Sequence, residues 1–267
     1  MVVIISGVNA MSSKDKLLVI TGGSRGIGRA VALKALEDGW RVVISYNSNK
    51  RFAENFVVQS NGRAGALPLD VRNESSIQKF FQLTKLQFGN PDALVNSAGI
   101  DTSPISIGDL SHNTAMEVFR VNAVGLISCC NEFVATIQNS VDFSSEKEKS
   151  RSIVNISSMA STIGGRKGKS LYAASKGAVD VFTVGAAKEL AKNNISVFAV
   201  RPGVTKTDMT EKMLENAEVA AKIKDTIASG EVAEPTDIAV PIVHLISGQF
   251  NYASGSILNL SGGGFVI

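Results

Sequence analysis

Tyr172 and Lys176 stand four residues apart in the run YAASK. On a helix that spacing places both side chains on one face. A free phenol titrates at about 10, and a neighbouring ammonium stabilises the phenolate and lowers that value. The pair is therefore suited to passing a proton to or from a bound oxygen. Ser157 and Ser158 close the strand-like run IVNISS one loop earlier, where a hydroxyl can hydrogen-bond the same oxygen. Asn122, in RVNAVG, falls inside a long helical pattern. Its amide needs partners once buried: either it is satisfied in the core, or it holds a water beside the lysine.

A second set of residues suits a different ligand. Residues 21–28 read TGGSRGIG, directly after the apolar run LLVI and before an amphipathic stretch. Glycines there permit a tight turn and close packing of helix on strand, and the helix N-terminus offers N–H groups to a pyrophosphate. Arg25 lies inside the turn, and its guanidinium is a rigid fork of donors for phosphate oxygens. The second β-branched run ends in Ser45-Tyr46-Asn47-Ser48-Asn49-Lys50. An NAD site usually places a carboxylate at this point for the ribose 2′-OH. None is present, and Arg25, Asn47 and Lys50 are available to a 2′-phosphate, so NADP is expected in preference to NAD.

The elements that must position these groups follow from the hydropathy pattern. Strand-like runs fall at 17–20, 41–46, 65–69, 92–96, 152–157, 195–200 and 256–260. Helical patterns fall at 27–38, 51–60, 75–87, 116–138, 172–192, 209–227 and 235–247. The alternation predicts βαβ units around a parallel sheet. The glycine-rich turn after the first strand favours a doubly wound fold over a barrel. The expected class is α/β: one Rossmann domain over 16–267, its parallel sheet flanked by helices on both faces, preceded by a tail at 1–15. Translation starting at Met11 is an alternative reading of that tail. Residues 139–151 (NSVDFSSEKEKSR) read as an exposed loop.

Composition narrows the function classes. The 267 residues are 44% hydrophobic, enough for one sizeable core, and the net charge is only +3. No basic stripe interleaved with aromatics suggests nucleic acid. Neither a secretory leader nor a membrane-spanning apolar run is evident. Cys129 and Cys130 are adjacent and have no others to pair with, which suits a reducing, cytoplasmic setting. His112 and His244 are far apart, and no metal-ligand spacing is present, so no metal is expected.

With these motifs in order along the chain, the sequence resembles the short-chain dehydrogenase/reductase family over residues 16–264. Thr21, Gly22, Gly26 and Gly28 match the family's glycine turn. Asp70-Val71 matches the pair whose acid meets the adenine amino group. Asn96, Ala98 and Gly99 match the Asn-Asn-Ala-Gly motif, with Ser97 in place of its second asparagine. Arg201-Pro202-Gly203, followed by Val204 and Thr207, resembles the segment that holds the nicotinamide carboxamide. Asn122, Ser158, Tyr172 and Lys176 match the catalytic tetrad. The resemblance implies that Tyr172 exchanges the proton and Ser158 polarises the substrate oxygen. Lys176 would lower the tyrosine pKa and bind the nicotinamide ribose, and Asn122 would position a relay water. It implies cofactor contacts from Thr21, Gly22, Ser24, Arg25, Gly26, Ile27, Gly28, Asn47, Asp70, Val71, Asn96, Ala98, Gly99, Tyr172, Lys176, Pro202, Gly203, Val204 and Thr207.

The substrate is less legible. The chain resembles both 3-oxoacyl-carrier-protein reductases and glucose 1-dehydrogenases. A carrier protein is acidic and would need a basic patch, for which Lys149, Arg151, Arg166, Lys167 and Lys169 are the candidates. Asp142, Glu146 and Glu148 dilute it. A small polar carbonyl or hydroxyl compound is therefore expected over a carrier-bound acyl chain, with residues 204–232 covering it. A non-catalytic cofactor sensor or scaffold is the reading from another class, and the presence of both Tyr172 and Lys176 weighs against it. A homo-oligomer, a tetramer, is expected from the family habit, the 116–138 helix and the apolar end Gly264-Phe265-Val266-Ile267.

Overall fold

A computed structural model describes residues 16–138 and 149–264. The expected tail at 1–15, most of the polar 139–151 segment, and Phe265, Val266 and Ile267 lie outside the described residues. The chain runs β1 (Leu17–Thr21), α1 (Gly26–Glu37), β2 (Arg41–Tyr46), α2 (Lys50–Gln59), β3 (Ala64–Pro68), α3 (Glu74–Phe88) and β4 (Ala93–Asn96). It continues with α4 (His112–Phe119), α5 (Leu126–Gln138), β5 (Arg151–Ile156), α6 (Ala160–Ile163), α7 (Ser170–Leu190) and β6 (Ile195–Pro202). It closes with α8 (Glu211–Leu214), α9 (Ala217–Asp225), α10 (Pro235–Leu245) and β7 (Ile257–Leu260).

The seven strands form one sheet in the order β3-β2-β1-β4-β5-β6-β7, and every pairing is parallel. The strands read as almost unbroken apolar runs because helices cover both faces. Alternate residues serve opposite cores. Leu18, Ile20, Val95, Val154 and Phe198 pack with α1 and α10 residues such as Val31 and Ile242. Leu17, Val19, Leu94, Ile153 and Val197 pack with Phe80, Phe133 and Val179 of α3, α5 and α7. Sequence order reverses between β1 and β4, so the site expected in such a sheet lies beyond their carboxyl ends.

Three sequence expectations are corrected here. The helix expected over 116–138 starts at His112 and is interrupted by a π turn at Arg120–Gly125, which separates α4 from α5. The run expected to be helical over 209–227 is two short helices, α8 and α9, because Asn216 leaves the helix and caps the next one by accepting from Val219 N at 3.1 Å. The continuous helical run His112–Gln138 is, against expectation, long and apolar enough to cross a membrane by length and composition. Half of its most apolar window is buried, with Leu126, Cys129 and Phe133 in the core, which accounts for that apolarity without a bilayer.

Candidate active site

At the end of β1 the buried Thr21 turns its hydroxyl toward β4, and Oγ1 accepts from Ser97 N and Ala98 N, both at 3.2 Å. The backbone of Ser97 is thus held, and its departure from the usual asparagine leaves that junction closed. Gly22 has φ of 67° and donates its N–H to Ser45 Oγ at 2.9 Å. A Cβ on Gly28 would stand 2.5 Å from Gly22 O, so only glycine lets α1 begin this close to the turn. Ser24 is buried and Ile27 packs against the core, while Gly26 lies against Thr207, whose Cγ2 would be 3.3 Å from an added Cβ. The first turn of α1 carries no acidic residue, which leaves its positive end uncompensated.

The expected phosphate groups are placed at the rim. Arg25 is exposed and ion-pairs with Asp208 at 3.5 Å, joining the turn to the segment after β6. Asn47 and Lys50 are exposed beyond β2, and Lys50 pairs with Glu54 at 3.4 Å. Asp70 is held by Arg72: its Oδ1 accepts from Arg72 N at 3.0 Å and Nε at 2.8 Å, and its Oδ2 from a guanidinium nitrogen at 2.8 Å. Those bonds hold its carboxyl below the usual range. Val71 lies against the π turn, where a Cβ on Gly125 would come within 2.5 Å of its carbonyl oxygen.

Asn96 is buried with its Nδ2 donating to Asn155 Oδ1 at 3.0 Å and to Cys130 Sγ at 3.2 Å, so its side chain ties β4 to β5 and α5. Gly99 lies between Asn122 and Lys176: an added Cβ would be 3.4 Å from Asn122 Oδ1 and 3.6 Å from Lys176 Nζ. The segment after β6 is held through the buried Pro202, whose carbonyl accepts from Met159 N, and Gly203, whose N–H donates to Leu260 O at 2.9 Å. Val204 O accepts from Ala233 N at 3.0 Å, and Thr207 N donates to Thr210 Oγ1 at 3.0 Å.

The four residues expected to do chemistry converge on the ends of β4 and β5. Ser158 Oγ accepts from Ala160 N at 3.1 Å, and its hydroxyl acts on the Tyr172 phenol as a lowering influence. Lys176 is buried, its Nζ donates to Ile156 O at 2.7 Å, and it lies 5.8 Å from the Tyr172 ring centre. Burial pushes the Tyr172 phenol up to about 12, against the lowering influence of Ser158, and Asp101 pushes it the same way as burial. Burial pushes the Lys176 ammonium down to about 8. The net direction is opposite to the one expected from the lysine, because desolvation dominates the phenol.

Asn122 resolves toward one of its two readings. Its Oδ1 accepts from Ile100 N at 2.8 Å, and its Nδ2 donates to Ile100 O at 2.9 Å and Ser175 Oγ at 3.1 Å. The side-chain amide is satisfied by protein, as the first of the two readings has it. It pins the loop following Gly99 to the π turn.

Sequence reasoning missed two ion pairs around these groups. Lys169 Nζ donates to Asp101 Oδ2 at 2.6 Å and also to Thr102 O, joining the loop after β4 to the start of α7. Arg201 Nε donates to Asp180 Oδ2 at 3.0 Å, and a second guanidinium nitrogen ion-pairs with the same oxygen at 2.9 Å. Neither pair has a local spacing signal, because each joins segments far apart in sequence. The basic patch is also reduced: Arg151 is fully buried and donates to Pro91 O at 3.2 Å, and Lys169 is in its ion pair. A cavity of about 380 Å³ borders Gly203 and Val204 between residues 227–238 and 259–263, and Ser158 and Tyr172 do not line it. Among the described residues no group of three or more His, Cys, Asp and Glu could hold a metal ion. Both cysteines are free and buried, and burial pushes their thiols up.

A doubly wound sheet carrying a glycine turn on one side of the switch point and a Ser-Tyr-Lys cluster on the other has the layout of a dinucleotide-dependent oxidoreductase. Residues 22–264 match the family described as Enoyl-(Acyl carrier protein) reductase, and the chain belongs to this short-chain dehydrogenase/reductase family. It is 34% identical to an oxidoreductase, YgfF of Escherichia coli (strain K12), over 92% of this chain and 99% of that one. It is 30% identical to the 3-oxoacyl-[acyl-carrier-protein] reductase FabG of Staphylococcus aureus (strain Mu50 / ATCC 700699), over 93% and 97%. A solved structure described as ElxO with NADP bound superposes with a TM-score of 0.83 at 28% identity, covering 93% of this chain and 98% of that chain.

Proposed function

We propose that this oxidoreductase reduces a small polar carbonyl compound with NADPH. The observation that carries the reading is the Ser158–Tyr172 hydroxyl pair, set over a buried Lys176 at the carboxyl edge of the sheet. The residues fit a dinucleotide. The turn at Gly22 and Gly28 is a cradle that a Cβ would fill, and it opens onto the uncompensated N-terminus of α1. Thr21, Gly22, Ser24, Arg25, Gly26, Ile27 and Gly28 would hold its pyrophosphate side, with Asp70 and Val71 toward the adenine. Asn96, Ala98, Gly99, Tyr172, Lys176, Pro202, Gly203, Val204 and Thr207 would surround the nicotinamide half. Arg25 and Asn47, with no carboxylate over 45–50, favour the 2′-phosphate. A cofactor-bound relative, ElxO with NADP, supports the same preference.

When bound, the nicotinamide supplies hydride chemistry. This chain supplies the proton. A phenol pushed up to about 12 is protonated at neutral pH, which makes Tyr172 an acid toward a carbonyl oxygen gaining negative charge. Ser158, its Oγ fixed by Ala160 N, orients the same oxygen. Lys176 places a buried positive charge beneath the ring, favouring the phenolate left when the proton departs. Asn122 holds the loop after β4 in register by its bonds to Ile100.

A polar small molecule is favoured over a carrier-bound acyl chain because the candidate basic patch shrinks to Lys149, Arg166 and Lys167. Lys169 is in its ion pair and Arg151 is in the core. The likeness to FabG keeps the carrier-linked substrate as the competing reading. The reading also includes a homotetramer in a reducing, cytoplasmic setting. Exposed apolar side chains of the long helices, such as Val124, Ile127 and Val181, supply an association surface. Steady-state kinetics on sugars, diketones, small aldehydes and an acetoacetyl-carrier protein, with NADPH and NADH, test it. The expected result is higher kcat/KM with NADPH and with a small polar carbonyl. Equal efficiency with NADH refutes the cofactor assignment, and a hundredfold advantage for the carrier-linked substrate refutes the substrate class.

A further inference from the structure

We infer that Asp180, held and partly screened by Arg201, is a positioning residue that keeps Lys176 protonated from behind the site. Asp180 lies one helical turn beyond Lys176 on α7, so both occupy the same face of that helix. Arg201 lies near the end of β6, immediately before Pro202 and Gly203. The pair is shielded, with side-chain exposure of 21% for Arg201 and 7% for Asp180. It is also one-sided: the Nε hydrogen bond and the nearest guanidinium contact both fall on Oδ2, and the buried Oδ1 has no hydrogen-bond partner. A buried carboxylate oxygen without a donor is costly, and a fork-on-fork arrangement would have avoided that cost. The unpaired oxygen instead leaves negative field uncancelled close to the one other cation on this helix face, Lys176.

The surroundings of Lys176 make that field consequential. Its ammonium has one acceptor, Ile156 O of β5 at 2.7 Å. The charged and titratable groups facing it are Tyr172 and Asp180 from α7, Asp101 from the loop after β4, and Arg201 behind Asp180. Asp101 is already tied to Lys169 at 2.6 Å. The π turn contributes only the neutral amide of Asn122. Desolvation lowers the ammonium, and Asp180 is the strongest influence opposing it, ahead of Asp101. The pair thus does two things at once. It anchors α7 to the strand end that leads into the 202–207 segment, and it supplies the negative charge that offsets burial of the lysine.

These roles make opposite demands on the two partners, so they can be separated. The full chain, labelled with [ε-13C]lysine, is titrated by NMR from about pH 6 to about pH 11, with the Lys176 signal identified by its loss in Lys176→Arg. The readout needs neither cofactor nor turnover, so a failed substrate panel would leave it intact. Asp180→Asn is expected to move the Lys176 midpoint down by about one unit, since a negative charge is lost. Arg201→Met is expected to move it up, since a positive charge that screens Asp180 is lost, and Arg201→Lys leaves it near the wild-type value. A merely structural clamp would shift both variants the same way, or neither, and either result overturns the inference. Should Arg201→Met fail to fold, Asp180→Asn decides alone: a midpoint equal to wild type refutes the role.

Discussion

The groups assigned to proton transfer and the segment after β6 are held by different forces. Tyr172, Lys176 and Ser158 are fixed by a continuous set of buried bonds: Asn122 to Ile100 and Ser175, Lys176 to Ile156, Asn96 to Asn155, and Asn155 to Thr183 at 3.0 Å. Residues 204–233 have little of this. No residue of α8 is buried, and Ile223 alone is buried in α9. Their small core is Ile223, Ile227 and Val232, with Val204, Met213 and Leu214 against it. The ion pairs there, Arg25–Asp208, Lys206–Glu234 and Lys224–Glu231, are all about half exposed or more, and such pairs are worth about 0–1 kcal/mol. On the proposed reading, proton transfer rests on the part with more buried bonds, and substrate fit on a segment with fewer.

Substitutions in the two regions should therefore differ in kind. The largest effect is expected at the turn. Gly28→Ala would place a Cβ 2.5 Å from Gly22 O, and fluorescence titration should show NADPH binding weakened by more than tenfold with the fold retained. Unchanged binding would mean that the turn relaxes freely and is not part of the rigid frame. Next is Asn122→Ala, which deletes three hydrogen bonds, one buried and two partly buried, and orphans both polar groups of Ile100. It is expected to cost about 3 kcal/mol in denaturant unfolding, together with a fall in kcat. A loss of activity at unchanged stability would instead favour a direct role for the amide. The smallest effect is expected in the covering segment. Met213→Ala removes a half-buried contact and should change KM by a few fold while leaving kcat and unfolding nearly as they were. A large stability loss there would erase the contrast between the regions.

Much of this contrast was legible in the chain, and what was not has physical causes. The strands and most helices follow from apolar periodicity, and the Thr21-to-Gly28 turn and the Tyr172–Lys176 spacing are local patterns that need no partner to be read. The π turn at 120–125 was not legible. It depends on Gly125 fitting against the backbone of Val71, a contact between distant segments. The choice between two roles for Asn122 required knowing that Ile100 lies beside it. The direction of the Tyr172 shift was misjudged because spacing reveals a neighbouring charge but not how far burial outweighs it. Lys169 read as part of a docking patch and Arg201 as part of the nicotinamide segment, and nothing local pointed to Asp101 and Asp180 as their partners. Arg151 likewise read as part of a surface patch, whereas the sheet buries it.

The central claim is that Tyr172 delivers the proton while the rest of the site binds and orients. It is tested most directly by single-turnover oxidation of NADPH in the presence of an accepted carbonyl substrate, comparing wild type with Tyr172→Phe. Positioned proton transfer contributes about 10² to 10⁴-fold, so the variant is expected to lose roughly that factor in rate. Its NADPH affinity should be little changed, because the hydroxyl is removed and the ring remains. Retention of more than about a tenth of the wild-type rate would contradict the assignment of the acid and, with it, the account of how Ser158 and Lys176 act.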